Sequence, residues 1–286
     1  MLQGADSGRA VVDKRIRLRP FAPALGAEVR GIDLANGLDE ESYRQVRAAF
    51  CQFGVLFFKE QSEIPPDVQV QIGRMFGALH MHPAAPQMPG FPEVFVIHTQ
   101  RDSKIANGEF WHSDVSCDEE PPLGTMLQIH VLPEMGGDTL FANMHAAYDA
   151  LSAPMQQMLA GLTALHESEH IYRGRYADRG MNDTGKMYPK ATHPVVRTHP
   201  ETGRKAIFVN RTFTTRINEL HSAESDALLA FLFNHCEQID FQIRFRWERN
   251  DVAFWDNRSV MHHAIWDYWP NERKGRRVTI KGERPR

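Results

Sequence analysis

Residues 241–255 read FQIRFRWERNDVAFW, and this stretch decides the fold class. Apolar side chains alternate with polar or basic ones through residues 241–247, which is the pattern of a β-strand with one buried face. Asn250 and Asp251 are typical turn residues, and the apolar residues 252–255 after them predict another strand. The stretch therefore predicts two consecutive strands joined by a tight turn.

Further short strands are predicted on the N-terminal and C-terminal sides of this stretch. They cover residues 16–19, 55–58, 94–97, 127–131, 206–210 and 278–280. Helices are predicted after the capping residue Asp39, through residues 67–76, after Ser152 through Leu162, and after Ser222, with residues 227–233 facing inward. Many short strands with helices mostly outside the later strand region predict an α+β, mainly β fold: a double-stranded β-helix (jelly roll) core with flanking helices.

The composition is that of a globular protein and excludes several other classes. The 286 residues are 42% hydrophobic and 24% charged, which excludes disordered, collagen-like and coiled-coil chains. Residues 1–14 are polar and are predicted to form a flexible N-terminal tail, and residues 15–286 a single domain. Residues 167–192 are polar and Gly-rich, so this long insertion is expected to be either disordered or lid-like over a site.

Charge and apolar runs limit the partners. The formal net charge of -3 provides no positive field for a nucleic acid. The longest apolar run found, residues 227–233, is too short to span a bilayer, so no membrane partner is expected. The N-terminal residues lack the apolar region of a signal peptide, and three cysteines without a CxxC motif suit free thiols. These features predict a cytoplasmic protein.

Fourteen histidines raise the question of a metal site. Non-heme Fe(II) oxygenases hold iron with two His and one carboxylate, and their motif often begins with His-x-Asp or His-x-Glu. Three tripeptides fit this pattern, about as many as chance provides. They are His112-Ser113-Asp114, His199-Pro200-Glu201 and His235-Cys236-Glu237.

Local context separates the three tripeptides. His235 lies in a predicted helix, where residues two apart point in different directions, and His199 lies in a Pro- and Gly-containing turn that is expected to be exposed. Residues 110–115 have a period of two, which predicts a buried strand with His112 and Asp114 on one face. A strand that merely carries two polar residues is the alternative.

A third ligand is expected from the His262-His263 pair. It follows a predicted strand in the β-rich final third of the chain. Neighbouring residues of a strand face opposite ways, so only one of the two can bind the same ion as His112 and Asp114. The pattern alone does not choose between them.

Four quoted motifs carry a family resemblance. They are WHSD (residues 111–114), GGDTL (136–140), FTTRI (213–217) and WDNRSVMHHAIWDYWPNERKGRRVTIKG (255–282). Over residues 16–283 the chain resembles the taurine dioxygenase family of Fe(II)- and 2-oxoglutarate-dependent oxygenases, which includes alkylsulfatases and aryloxyalkanoate dioxygenases. The resemblance implies that His262 is the third iron ligand beside His112 and Asp114.

The resemblance also implies the residues that bind 2-oxoglutarate. Arg273 corresponds to the arginine that anchors the far carboxylate of 2-oxoglutarate, and Thr139 to its threonine partner. A planar guanidinium suits this role because it can bind a carboxylate through two parallel hydrogen bonds. Arg277 corresponds to the arginine that faces the substrate anion. Judged on composition alone, Arg273 and Arg277 would instead belong to a solvated basic tail.

Substrate contacts follow from the same resemblance. It implies that His82, Val115 and Phe213 contact the substrate, although a structural role is an alternative for His82. Two positions depart from the family pattern, since Ala85 replaces a Tyr and Gly108 replaces an Asn. Both changes remove volume and a polar group, so a larger or less polar substrate with an anionic head is expected.

The resemblance implies a dioxygenase that uses Fe(II), 2-oxoglutarate and O2. It hydroxylates the carbon next to the anionic group of an alkylsulfonate or alkyl sulfate, releasing an aldehyde plus sulfite or sulfate, with succinate and CO2. An aryloxyalkanoate or other carboxylate substrate, a non-catalytic jelly-roll binding protein and a zinc hydrolase are the alternatives. By analogy with the family, a homo-oligomer is expected, either a dimer or a tetramer.

Overall fold

The computed structural model describes residues 16–85, 87–177 and 180–286. Its strands are Arg17–Pro20 (β1), Ala27–Arg30 (β2), Val55–Phe58 (β3), Leu79–His80 (β4), Val94–Thr99 (β5), Gly124–Val131 (β6), Thr139–Asn143 (β7), Thr163–Glu167 (β8), Lys190–Pro194 (β9), Val196–Thr198 (β10), Lys205–Ile207 (β11), Thr214–Ile217 (β12), Gln242–Phe245 (β13), Val252–Asp256 (β14), Val260–Ala264 (β15) and Arg273–Ile280 (β16). Its α-helices are Glu40–Phe53 (α1), Pro66–Phe76 (α2), Met144–Asp149 (α3), Ala153–Leu159 (α4), Glu169–Tyr172 (α5) and Ser222–Cys236 (α6). The predicted tail, residues 1–14, lies outside the described residues.

Two facing sheets form the centre of the structure. The larger has the strand order β1-β2-β3-β14-β6-β16-β4, with β5 also paired to β16, and the smaller has the order β13-β7-β15. Aromatic side chains fill the space between them. Phe57 of β3 stacks on Phe245 of β13 with 4.0 Å between ring centroids, and Phe141 of β7 lies 5.6 Å from Trp255 of β14. This apolar layer holds the strands that carry the site in fixed positions.

Helices α1 and α2 cover the outer face of the larger sheet. All four residues of β3 are buried, and Leu56 and Phe58 belong to the outer hydrophobic cluster. On that face Phe50 of α1 stacks on Phe254 of β14 at 4.3 Å. A strand buried on both faces has no polar positions, which is why residues 55–58 form an unbroken apolar run.

Several predicted elements are confirmed at the residue level. The Asp39 side chain caps α1 by accepting a hydrogen bond from the Ser42 N–H at 2.8 Å, and β13 has the predicted alternation of buried and exposed residues. β10 and β11 form an antiparallel hairpin around residues 199–203, as the turn residues there predict. Within the described ranges, no helix is both long enough and apolar enough to cross a bilayer.

Other expectations need correction. Residues 110–115 do not form a regular strand, because only His112 pairs, in a single bridge with His262, and a turn follows. α6 is capped by His221 rather than Ser222, and within residues 227–233 only two side chains are buried while Phe231 is 44% exposed. α4 ends at Leu159, so Leu162 lies beyond it. The first error arises because a long-range contact with His262 replaces the local strand pattern. The error in α6 arises because much of this apolar helix lies at the surface.

The long segment 167–192 is partly regular. Its first residue belongs to β8, its last three to β9, and α5 lies between them. β9 and β12 both pair with β8 in a separate three-stranded sheet. The part of this segment that follows β8 therefore leaves and returns to the same sheet, and in between it passes the cavity that contains the candidate site.

Candidate metal and substrate site

Three buried side chains form a potential metal site between the two facing sheets. The Nε2 atoms of His112 and His262 lie 3.8 Å and 3.9 Å from Oδ1 of Asp114, and the ligand atoms of the three all lie within 4.8 Å of one another. Two backbone hydrogen bonds, of 3.1 Å and 2.9 Å, join His112 to His262. Two imidazoles and one carboxylate are the donor set of the facial triad. No other group of this kind occurs among the residues that the structure describes.

Both imidazoles are in the form that can bind a metal. Nδ1 of His112 donates to the Phe110 carbonyl oxygen at 2.7 Å, which leaves the lone pair of Nε2 directed at Asp114. Burial lowers the pKa of His112 and lowers the pKa of His262 well below its usual value. At neutral pH both rings are therefore uncharged.

The Asp114 carboxylate is ionised and held on both oxygens. Thr125 Oγ1 donates to Oδ2 at 2.7 Å, and Arg277 donates to Oδ1 at 2.7 Å. Burial opposes ionisation, but the charge of Arg277 and the hydrogen bond from Thr125 hold the pKa of Asp114 below its usual range. The Asn257 side chain accepts from the Asp114 N–H at 3.2 Å. Sequence reasoning missed Asn257 as a supporting residue, although it stands in the quoted WDNR motif.

The structure distinguishes the two adjacent histidines. His262 faces Asp114, whereas the ring of His263 lies 5.7 Å from that of Trp111 on the other side of β15. His199 is buried and hydrogen-bonded to Asp256 at 3.0 Å, so the expectation of an exposed turn histidine was wrong. His235 is bonded to the Ala147 carbonyl oxygen within helical surroundings, as predicted. These last two histidines have structural roles.

Arg273 and Thr139 line the same cavity as the triad. Arg273 is 3% exposed, and its Nε and NH2 groups have no hydrogen-bond partner among the described residues. Such buried donors are costly unless an acceptor fills the space, so the cavity suits an anion there. Thr139 Oγ1 accepts from Trp247 Nε1 at 3.0 Å, which leaves the Thr139 O–H free to donate.

The basic-tail interpretation of the C-terminal arginines is wrong. β16 pairs with β6 on one side and with β4 and β5 on the other, so it lies inside the larger sheet. Strand alternation places Arg273 and Arg277 on the cavity side, and the intervening Arg276 faces Glu63 on the opposite side at 2.8 Å. The alternation of side chains along β16 thus buries Arg273 and Arg277, although the segment as a whole is basic.

The four residues expected to contact substrate also line the cavity: His82, Val115, Phe213 and Arg277. Nδ1 of His82 accepts from the backbone N–H groups of Ala84 and Ala85 at 3.2 Å and 3.0 Å, so its proton is on Nε2. Val115 has a φ of 44°, a left-handed conformation that β-branched residues rarely adopt and that is concentrated at functional sites.

The two departures from the family pattern differ in position. Gly108 lines the cavity with a φ of 80°, and a Cβ atom there would lie 3.3 Å from Cε1 of His112. Ala85 instead belongs to the hydrophobic core and borders a smaller cleft beside His82. Gly108 therefore leaves space next to His112, one of the three potential metal ligands, while Ala85 lies outside the lining of the main cavity.

Sequence reasoning missed several cavity residues, and four of them have titratable side chains. Tyr172, Arg175 and Tyr176 come from segment 167–192, and Glu109 lies beside Gly108. The length of the segment indicated a structure over a site, but no motif singled out these side chains. Their position depends on how the segment packs against distant loops.

Over most of its length the chain is similar to known dioxygenases. The chain is 34% identical over 283 residues to the alpha-ketoglutarate-dependent sulfonate dioxygenase of Saccharomyces cerevisiae, covering 95% of this chain and 68% of that protein. It is 34% identical to an alpha-ketoglutarate-dependent sulfate ester dioxygenase of Pseudomonas putida, covering 94% and 90%. It is 32% identical to the alpha-ketoglutarate-dependent 2,4-dichlorophenoxyacetate dioxygenase of Cupriavidus pinatubonensis, covering 93% of each.

A solved structure and a family model agree with these relatives. The crystal structure of a taurine dioxygenase from Burkholderia xenovorans superposes with a TM-score of 0.81 at 32% identity, covering 95% of this chain and 92% of that one. The family model described as "Taurine catabolism dioxygenase TauD, TfdA family" matches residues 17–279. The chain therefore belongs to the taurine catabolism dioxygenase TauD, TfdA family.

Proposed function

We propose that this protein is an Fe(II)- and 2-oxoglutarate-dependent dioxygenase that hydroxylates the carbon next to a sulfate or sulfonate group. One observation carries the proposal: a buried two-histidine, one-carboxylate cluster shares a cavity with Arg273, whose Nε and NH2 groups have no partner among the described residues. Relatives that act on sulfonates and sulfate esters support the substrate class. We assign the two facing sheets to a double-stranded β-helix core.

The residues present fit the metal and the cosubstrate. His112, Asp114 and His262 would hold Fe(II), because two neutral imidazoles and one ionised carboxylate converge there. Arg273 and Thr139 would bind the far carboxylate of 2-oxoglutarate with donors that lack other acceptors among the described residues. When bound, iron with 2-oxoglutarate and O2 supplies the oxidising power that inserts oxygen into a C–H bond.

The polypeptide itself binds and orients the substrate. Burial and the neighbouring arginines lower the pKa of His82 well below its usual value, so a neutral ring offers its Nε2–H to the anion. The guanidinium of Arg277 lies 5.0 Å from the Phe95 ring centroid, on the same side of the cavity as His82. Phe213 and Tyr172, with ring centroids 5.9 Å apart, form an aromatic wall for the organic part of the substrate. This arrangement fixes which C–H bond faces the metal site.

The overall reaction balances for a sulfate ester. One oxygen atom of O2 enters succinate as 2-oxoglutarate loses CO2, and the other enters the carbon that bears the sulfate oxygen. The resulting hydroxylated carbon releases sulfate and leaves an aldehyde, whereas a sulfonate releases sulfite. The proton of the new hydroxyl group leaves to solvent, and no side chain is required as the acid for release of sulfate, because sulfate is a weak base.

A substrate panel tests the proposal. Purified protein with Fe(II), 2-oxoglutarate and O2 would be offered alkyl sulfates, alkylsulfonates including taurine, and aryloxyacetates, with release of succinate and of sulfate or sulfite measured. Sulfate or sulfite release matched to succinate supports the proposal. Preference for aryloxyacetates would favour the second candidate, an aryloxyalkanoate dioxygenase, which the 2,4-dichlorophenoxyacetate relative supports.

A binding measurement separates an enzyme from a non-catalytic protein. Adding Fe(II) and 2-oxoglutarate without O2 should produce a weak visible charge-transfer band in the wild type and none in Asp114→Ala. A band that is absent from both, with no succinate from any substrate, would overturn the proposal. Activity with Zn(II) and no O2 would instead indicate the hydrolase.

We also propose a cytoplasmic homo-oligomer, a dimer or a tetramer. The thiols Cys51, Cys117 and Cys236 are free, which suits a reducing compartment, and the oligomer is inferred from the family. Light scattering coupled to size-exclusion chromatography tests the oligomer, and a monomer at micromolar concentration would contradict it.

A further inference from the structure

The cavity contains charges that the proposed function leaves unused. Five charged side chains line it: Glu109, Asp114, Arg175, Arg273 and Arg277. Asp114 is a metal ligand, Arg273 is assigned to 2-oxoglutarate and Arg277 to the substrate anion. Arg175 and Glu109 have no role in that scheme, and Arg175 is a cation in a largely apolar cavity.

Packing places Arg175 beside the substrate histidine. Arg175 follows α5 in segment 167–192. The rings of Tyr172 and Tyr176, which flank it, lie 5.2 Å and 6.0 Å from the His82 ring. Its NH2 group donates to the Ala106 carbonyl oxygen at 2.6 Å. Arg175 is thus tied to the loop before Glu109 and lines the same cavity as His82.

Most of the hydrogen-bonding capacity of Arg175 is available. A guanidinium has five N–H donors. Within the described ranges, the Arg175 guanidinium makes one hydrogen bond. Glu109 Oε1 lies 4.0 Å away, which is beyond hydrogen-bond distance. Arg277 likewise makes one side-chain hydrogen bond within the described ranges, to Asp114 at 2.7 Å. Arg175 therefore has as many unused donors as Arg277 with which to meet an incoming anion.

The charge of the cavity agrees with a monoanionic substrate. Three arginines against two carboxylates leave one net positive charge, and Fe(II) with the 2-oxoglutarate dianion adds none. A sulfate ester or sulfonate, with one negative charge, brings the total to zero. Without Arg175 the same substrate would leave the cavity with an uncompensated negative charge, which is costly in a poorly solvated space.

We propose that Arg175 is a second cationic contact for the substrate and that it determines specificity for a tetrahedral oxoanion. This inference rests on the proposed function. Arg277, His82 and Arg175 provide three separate groups of donors, and a sulfate or sulfonate head has three terminal oxygens to accept from them. A planar carboxylate has two oxygens in one plane, so it cannot direct a separate oxygen at each of the three donor groups. Arg175 thus favours sulfates and sulfonates over aryloxyalkanoates.

Replacing Arg175 with glutamine tests this assignment. In Arg175→Gln we expect the KM for the best alkyl sulfate or sulfonate to rise about 10- to 100-fold, the range of one or two charge-assisted hydrogen bonds. The KM for an aryloxyacetate should change much less, so the preference between the two classes narrows. Arg175→Lys, which keeps the charge without the planar fork, should lie between the wild type and Arg175→Gln.

Arg173 provides a matched control on the same segment. Its side chain is 61% exposed and pairs with Glu169 one helical turn earlier, away from the cavity lining. Arg173→Gln removes the same charge from the same segment and should leave both KM values unchanged. Anaerobic titration of substrate into the protein loaded with Fe(II) and 2-oxoglutarate gives the dissociation constant directly, independent of turnover.

The outcomes distinguish the two proposals. Unchanged 2-oxoglutarate binding in Arg175→Gln, with weaker sulfate binding than in Arg173→Gln, supports the inference. Equal sulfate binding in the two variants, or an equal loss for sulfate and aryloxyacetate, overturns it while the proposed function stands. A wild type that releases succinate with no member of the panel would instead refute the proposed function.

Discussion

The Arg273→Gln substitution tests whether the buried guanidinium of Arg273 binds 2-oxoglutarate rather than stabilising the fold. Its Nε and NH2 groups are buried without acceptors in the described part of the chain, and the side chain is 3% exposed. Unsatisfied buried donors do not stabilise a folded protein. We therefore expect the free energy of unfolding of the ligand-free variant to lie within about 1 kcal/mol of wild type, an unusually small loss for a buried arginine.

Ligand binding should respond very differently. Two charge-assisted hydrogen bonds to a carboxylate are together worth about 3 kcal/mol or more, or roughly a 150-fold change in the dissociation constant. At a concentration 100 times the wild-type dissociation constant, 2-oxoglutarate stabilises the wild type by about 2.7 kcal/mol and the variant by about 0.3 kcal/mol. For a chain of this size, the thermal shift should fall from about 4–5 °C to about 0.5 °C.

Arg276 is the matched control because it lies three positions along the same strand and faces the other way. Its NH2 group donates to Glu63 at 2.8 Å and to the Ile64 carbonyl oxygen at 2.9 Å. Arg276→Gln should lower the ligand-free Tm but keep the full 2-oxoglutarate shift. Differential scanning fluorimetry with Fe(II) under anaerobic conditions measures both quantities. A full ligand shift in Arg273→Gln, or a large loss of ligand-free stability there, would refute the reasoning.

Three further predictions follow from the site and its surroundings. His262→Ala should abolish binding of one Fe(II) per chain, while His263→Ala, which changes the adjacent side chain on the opposite face, should retain it in anaerobic iron titrations. Burial lowers the pKa of His166 to about 3. The unfolded chain takes up a proton there near pH 6.5, so stability falls as the pH drops from 7 to 5, by about 2 kcal/mol from this residue. The free energy of unfolding of His166→Gln, measured with urea, should therefore fall less than that of the wild type between pH 7 and pH 5. An identical pH dependence in the two proteins would contradict this. Gly108→Ala and Gly174→Ala both place a Cβ at positive φ, at a cost of about 1 kcal/mol, but only the Cβ at position 108 would contact the imidazole of His112, a proposed metal ligand. Only Gly108→Ala should therefore weaken Fe(II) binding, and equal iron affinities would exclude crowding at that position.

Elements with strong local signals were predictable. The cap of α1 is Asp39, β3 is the apolar run 55–58, and β13 has the predicted alternation of apolar and polar residues. In each case the signal is short-range, because a cap, a doubly buried strand and a half-buried strand impose their patterns on adjacent residues. Residues 110–115 have a similar alternation, but a single bridge to His262 and a turn replace the predicted strand.

The site was partly predictable for a different reason. The motif residues His112, Asp114 and His262 were identified because two imidazoles and a carboxylate have few uses besides metal binding, and the family resemblance chose between the adjacent histidines. The same reasoning expected His199 to be exposed, whereas a distant aspartate, Asp256, holds it in the interior. Residue type thus identifies potential ligands, and long-range contacts decide which of them meet.

By itself, the sequence determined the chemistry that this chain can perform and the strands and helices that present it. Only the tertiary structure decided which charges share the cavity. The pleat of β16 turns Arg273 and Arg277 inward and Arg276 outward, although composition describes all three as a basic tail. Arg175 reaches the same cavity from a segment without a motif. The physical reason is that burial and charge pairing depend on contacts between residues far apart in the chain, which no local pattern encodes.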